Sequence, residues 1–155
     1  MASAKEMAGK LAKVAAVVVA LGGLALGVKF LQAPPEGPEP IAWDRESCAH
    51  CRMHIGEPRF AAQLQLDSGA VLDFDDPGCM LRYLADRHPA VRAAYVHHLH
   101  DDRWVELARA GFVEAGATPM GYGLGAVDAS EPGALTLQEA QARIERGHLA
   151  QGGRP

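Results

Sequence analysis

Residues 14–28 (VAAVVVALGGLALGV) carry no charged or polar side chain at any position. A helix on the surface of a small globular domain needs one polar face, so a run that is apolar on every face belongs in lipid rather than in such a domain. A spanning helix takes about 20 mostly apolar residues. Leu11, Ala12, Phe30 and Leu31 extend the run past Lys13 and Lys29, whose long stems reach the interface from near the ends. Lys5, Lys10 and Lys13 precede the run and hold the amino terminus in the cytoplasm. A cleaved secretory signal competes with this reading: Ala25-Leu26-Gly27 has the small-x-small pattern, but its apolar region would be only about 7–15 residues long. We expect residues 1–31 to form an uncleaved single-pass anchor in a bacterial inner membrane, with the rest in the periplasm. Residues 32–40 (QAPPEGPEP) hold four prolines and make a stiff, extended linker. Residues 41–155 are then one folded domain.

The charges divide at the same place. All four lysines lie in the first 29 residues, while residues from 32 onward carry 11 arginines against 18 aspartates and glutamates, together with all seven histidines. An acidic body excludes nucleic acid as a partner, because phosphate binding needs a basic face.

Within the domain, residues 59–66 (RFAAQLQL) and 70–74 read as strands around an Asp67-Ser68-Gly69 turn. Asp75-Asp76-Pro77 then opens a helix, with aspartate as the cap and proline at the first helical position, and the helix ends before His88-Pro89. Residues 93–99 read as a third strand. The second half looks similar: strands at 111–115 and 122–129, then a helix over 136–150 opened by the capping box Thr136-x-x-Glu139. The expected fold class is α+β, with two ββαβ-type units, mostly antiparallel.

The stretch that carries chemistry is Cys48-Ala49-His50-Cys51-Arg52-Met53. Two thiolates at C-x-x-C spacing grip one metal ion from a tight loop. The thioether of Met53 adds a soft third donor, and thiolate with thioether selects Cu(I) over Mg, Ca or Mn. His54 and His50 are nearby imidazoles. A periplasmic dithiol oxidoreductase, a zinc-binding interaction module and a plain structural disulfide remain open alternatives. A c-type haem site is excluded because position 52 is arginine, not histidine. Cys79 and Met80 follow the helix cap. There the helix dipole favours a thiolate at Cys79, while burial as an inert core residue competes evenly. Met120 sits in a Gly-bounded turn, TPMGYG, as a further thioether candidate. Of His97, His98 and His100, the latter two would share one strand face. No nucleophile–base pair or phosphate loop emerges, and an enzyme is not expected.

The ordered set Cys48-x-x-Cys51-x-Met53, FDDPGCM at 74–80, Arg103-Trp104-Val105 and Pro119-Met120-Gly121 resembles the NosL family, the copper accessory proteins of nitrous oxide reductase. The resemblance runs over roughly residues 41–144. It implies a periplasm-facing protein that binds one Cu(I) and delivers it, through a membrane maturation complex, to the copper centres of the reductase. It also implies a pair of ββαβ units, and Met120 as a ligand beside the motif cysteines and Met53. Two positions depart from the family pattern. No cysteine precedes Cys48, so a lipid cannot replace the anchor helix. Arg52 stands where many members carry glycine, putting a positive charge beside a cation site and leaving the client open between the reductase and a related copper enzyme.

Overall fold

The computed structural model describes Lys13, residues 15–24, Gly27 and residues 37–150, the side chains of the last three residues excepted. The chain divides into two compact units, Met1–Pro35 and Glu36–Pro155. In the first, residues 15–24 are helical and their large apolar side chains are exposed. Much of the anchor expected over residues 1–31, and the start of the linker, lie outside the described residues. Among the described residues no helix is long and apolar enough to cross a membrane.

The second unit is α+β. Strands β1 (Ala62–Leu66), β2 (Val71–Phe74), β3 (Val91–His97) and β4 (Trp104–Glu106) form an antiparallel sheet in the order β2-β1-β3-β4. Strands β5 (Ala110–Glu114) and β6 (Leu124–Asp128) make a two-stranded antiparallel sheet. Helix α1 (Pro77–Arg87) connects β2 to β3, and helix α2 (Leu137–Ala150) follows β6. The two helices pack on each other, α1 lies against β1, β2 and β6, and α2 lies against β5. The core between them holds Ala62, Leu64, Phe74, Met80, Leu81, Val96, Phe112, Leu124 and Ile144.

Successive side chains of a strand face opposite ways. Ala62 and Leu64 of β1 therefore enter the core, and Gln63 and Gln65 point to the other face. Both glutamines are nevertheless buried, because the chain from Gly37 to Glu39 crosses that face. Gln63 accepts from the Glu39 amide at 2.7 Å and donates to its carbonyl at 3.0 Å, and Gln65 donates to the Gly37 carbonyl at 2.8 Å. The end of the Pro-rich segment is thus hydrogen-bonded onto the sheet.

The structure departs from the expected elements at four places. The strand expected over 59–66 begins only at Ala62, because residues 58–60 form a single turn of 3-10 helix opened by Pro58, whose ring fixes a helical φ. The third strand runs over Val91–His97, two residues earlier than expected. The three-residue β4 is too short to show a periodicity. The first ββαβ unit is complete as β1-β2-α1-β3, but among the described residues no strand follows α2. Leu135, just before α2, instead exchanges two backbone hydrogen bonds with Phe112, at 2.7 and 2.9 Å.

The helix starts follow from their caps. Asp76 accepts from the Gly78 amide at 2.8 Å. Thr136 and Glu139 bond reciprocally, the Thr136 amide to the glutamate at 2.8 Å and the Glu139 amide to the threonine hydroxyl at 3.3 Å. Helix α1 ends at His88, in the left-handed region with φ 45°.

In the first turn of α1 the ring of Tyr122 lies on Gly78, where an added Cβ would come within 2.2 Å of Tyr122 Cγ. Helix propensity alone favours Gly→Ala by about 1 kcal/mol. The contact reverses that sign: Gly78→Ala should destabilise the domain by about 1–3 kcal/mol, read as a lower denaturant midpoint, with part of the loss recovered when Tyr122→Ala is added.

Candidate metal centre

Three local structures converge at the start of α1. The first is the loop 48–53. Ser47 and His54 form an antiparallel bridge at its base. The Cys48 amide donates to the Met53 carbonyl at 2.8 Å and the Arg52 amide to the Cys48 carbonyl at 3.0 Å. The turn closes through Arg52, which adopts φ 69°. That region is strained for a residue with a Cβ and free for glycine.

The second is the junction between β2 and α1. The Ala49 amide donates to the Asp73 carbonyl at 2.8 Å, and Asp75 accepts from the Gly56 amide at 3.4 Å. Asp75 therefore ties the segment after the loop, and of the two aspartates Asp76 alone caps the helix. Asp76 is fully buried. Besides capping α1 it accepts from the Met120 amide at 3.1 Å and from the Thr118 hydroxyl. The third structure, the 118–123 loop, is held in place through that one carboxylate and through Tyr122 on Gly78.

These ties bring the Sγ atoms of Cys48, Cys51 and Cys79 within 4.8 Å of one another. All three cysteines are free, so no Cys48–Cys51 disulfide is present. Cys48 and Cys79 are fully buried and Cys51 is partly exposed. The thiol of Cys79 donates to the Cys48 sulfur, and the amides of Cys51, Asp75 and His50 also point at it. Together they outweigh burial and pull Cys48 down from the ordinary thiol value of 9.0 to about 5. Cys79 is pushed far up, because it holds the proton shared with Cys48 and is itself buried. Burial also raises Cys51, against the Met53 amide that points at its sulfur. Tyr122, expected only as the start of a strand, is half-buried beside the cluster, and burial first pushes its phenol up to about 12, with Cys79 adding to the shift.

The other candidates are placed as follows. Met53 closes the loop and is 54 % exposed. Met120 packs partly buried against the core, its backbone held by the residue that caps the helix of Cys79. His54 is exposed at the loop base. Among the described residues no imidazole or carboxylate atom joins the three sulfurs. His97 and His98 are both buried at the end of β3, because the strand stops at His97 and the chain turns. Their ring nitrogens are engaged locally: His97 with the His98 carbonyl at 3.1 Å and Asp102 at 3.2 Å, and His98 with the amides of His100 and Asp101 at 3.3 and 3.1 Å.

Two outcomes follow from this geometry. Between pH 9 and about 5 the unfolded chain binds a proton at Cys48 that the folded chain does not. The stability this group contributes is complete above the unfolded value and is lost as pH falls through the folded one. The metal-free protein should therefore lose more stability than Cys48→Ser over that window in urea unfolding at stepped pH. Arg52→Gly should raise stability by about 1 kcal/mol by relieving the left-handed backbone, measured the same way.

No protein-family model matches the chain, and no curated protein matches it. Among solved structures, the crystal structure of the copper chaperone NosL from Shewanella denitrificans matches with a TM-score of 0.54 and 22 % sequence identity, over 73 % of this chain and 89 % of that one. The likeness supports the resemblance read from the motifs, and the domain has a NosL-like fold.

Proposed function

We propose that the chain is a membrane-anchored, periplasm-facing accessory protein that binds one Cu(I) and delivers it to a copper enzyme under maturation, nitrous oxide reductase or a related one. The observation that carries the reading is the three-sulfur cluster, in which Cys79 joins the C-x-x-C pair. A donor set of sulfur alone favours a soft ion, and three donors rather than four suit Cu(I). A closed zinc site takes four ligands, commonly completed by histidine, and no histidine or carboxylate joins this one among the described residues. The chaperone whose fold this domain shares is a copper protein by name. Export and anchoring rest on the apolar run 14–28 with its lysine flank.

The dithiol oxidoreductase reading is disfavoured by the same geometry. Such enzymes expose the low-pKa cysteine so that its thiolate can attack. Here the low-pKa cysteine, Cys48, is fully buried, and the partly exposed Cys51 is raised.

Anaerobic titration of the reduced protein with Cu(I) against a competing chelator tests the proposal, with Met53→Ala and Met120→Ala in parallel. One-to-one binding is expected, weakened about tenfold by loss of either thioether, or about 1.4 kcal/mol. Binding no tighter than that of a short C-x-x-C peptide would overturn the proposal. Copper binding that ignores both methionines would remove the thioethers from the site and leave the three cysteines.

A further inference from the structure

We infer that copper is retained by Cys48 and Cys79 and handed over at Cys51, so that the retaining pair is not the C-x-x-C pair. The inference rests on the Cu(I) reading above and assigns each cysteine a different part in it.

Cys48 and Cys79 are both fully buried and arise from different elements, with their sulfurs within 4.8 Å of each other. Each is also fixed independently. Three backbone amides point at the Cys48 sulfur. Cys79 stands in the first turn of α1, where its amide bonds the Asp76 carbonyl at 2.9 Å and the buried Asp76 carboxylate caps the helix. Replacing either sulfur leaves buried polar groups without a partner, which is costly. Cys51 is the partly exposed member, and it lies in a turn that closes through a strained Arg52. Water reaches Cys51 and does not reach the other two.

Transfer of a bound metal ion to an acceptor is a ligand exchange, and the incoming donor must approach from the side open to solvent. That side is the 51–54 turn, where the partly exposed Cys51 is followed by Arg52, the 54 % exposed Met53 and His54, all exposed. In the step, a sulfur or nitrogen donor of the acceptor forms a bond to Cu(I) while the bond to Cys51 Sγ breaks. The released Cys51 thiolate takes a proton from water, and the copper stays monovalent, so no oxidant or reductant is needed. Further donors of the acceptor then replace Cys48 and Cys79 in turn, and each released thiolate that is protonated takes its proton from water.

The test uses the full chain, reduced and anaerobic, with Cu(I) titrated against bathocuproine disulfonate and folding checked by circular dichroism. Cys51→Ser is expected to keep one-to-one binding with affinity down about tenfold, and Cys48→Ser and Cys79→Ser to fall about a hundredfold or more. A second measurement needs no buried substitution. Iodoacetamide added to the Cu(I)-loaded wild type should alkylate Cys51 first, with the copper still bound. An equal or larger loss in Cys51→Ser, or release of copper on alkylation of Cys51, overturns the inference while wild-type binding keeps the proposed function standing. Failure of the wild type to bind Cu(I) overturns both.

Discussion

The buried carboxylate of Asp76 is the interaction on which the site is built. It caps the helix that carries Cys79 through the Gly78 amide and holds the 118–120 loop through the Met120 amide. Burial raises its pKa, and the hydrogen bonds it accepts from Thr118, Gly78 and Met120 oppose that shift. A charge out of water is tolerated only when its lone pairs are occupied, and here the partners are the orphan amide of a helix start and the amide of a loop with no ladder of its own. One group therefore settles where the helix begins and where the Met120 loop sits. Tyr122 on Gly78 makes the second contact between the same two segments.

The sulfur cluster repeats this economy with protons. Three thiols side by side cannot all ionise, because each new charge raises the cost of the next. The structure resolves the conflict by geometry: the amides of loop 48–53 and of Asp75 converge on Cys48, and Cys79 supplies the remaining donor. The Cys48 sulfur held this way is buried from any solvent-borne disulfide. The domain needs no cross-link to keep this shape, since a core drawn from both helices and both sheets supports it. The left-handed backbone at Arg52 gives a physical reason why glycine suits that position of a C-x-x-C-x-Met loop, and this chain carries the strain instead.

Much of the fold was legible where local chemistry decides it. Asp-Asp-Pro announced α1, and Thr136-x-x-Glu139 announced α2, because caps are short-range hydrogen bonds between residues close in sequence. The β1–β2 hairpin followed from alternation around Asp67-Ser68-Gly69. β4 was not legible, since three residues cannot display a period of two, and it exists because the edge of β3 is open beside it. Nor was the burial of Gln63 and Gln65 legible. Their face looks solvated in sequence and is covered by chain that precedes it by more than twenty positions.

The sequence by itself determined the donors: cysteine and methionine on short loops, an apolar run with lysines before it, an acidic domain after it, and the residues that start each helix. These are properties of single side chains or of neighbours a few positions apart. Only the tertiary structure decided which donors meet. Cys79 read equally well as an inert core residue until the β1–β2 hairpin, the cap at Asp76 and the loop 48–53 set its sulfur beside those of Cys48 and Cys51. The ring nitrogens of His97 and His98, imidazoles that the sequence leaves without an assigned role, are engaged by bonds within their own turn. The physical reason is common to both: a site of this kind is assembled by long-range packing, and residue type limits which atoms can bind a metal without saying which will be brought within reach of one another.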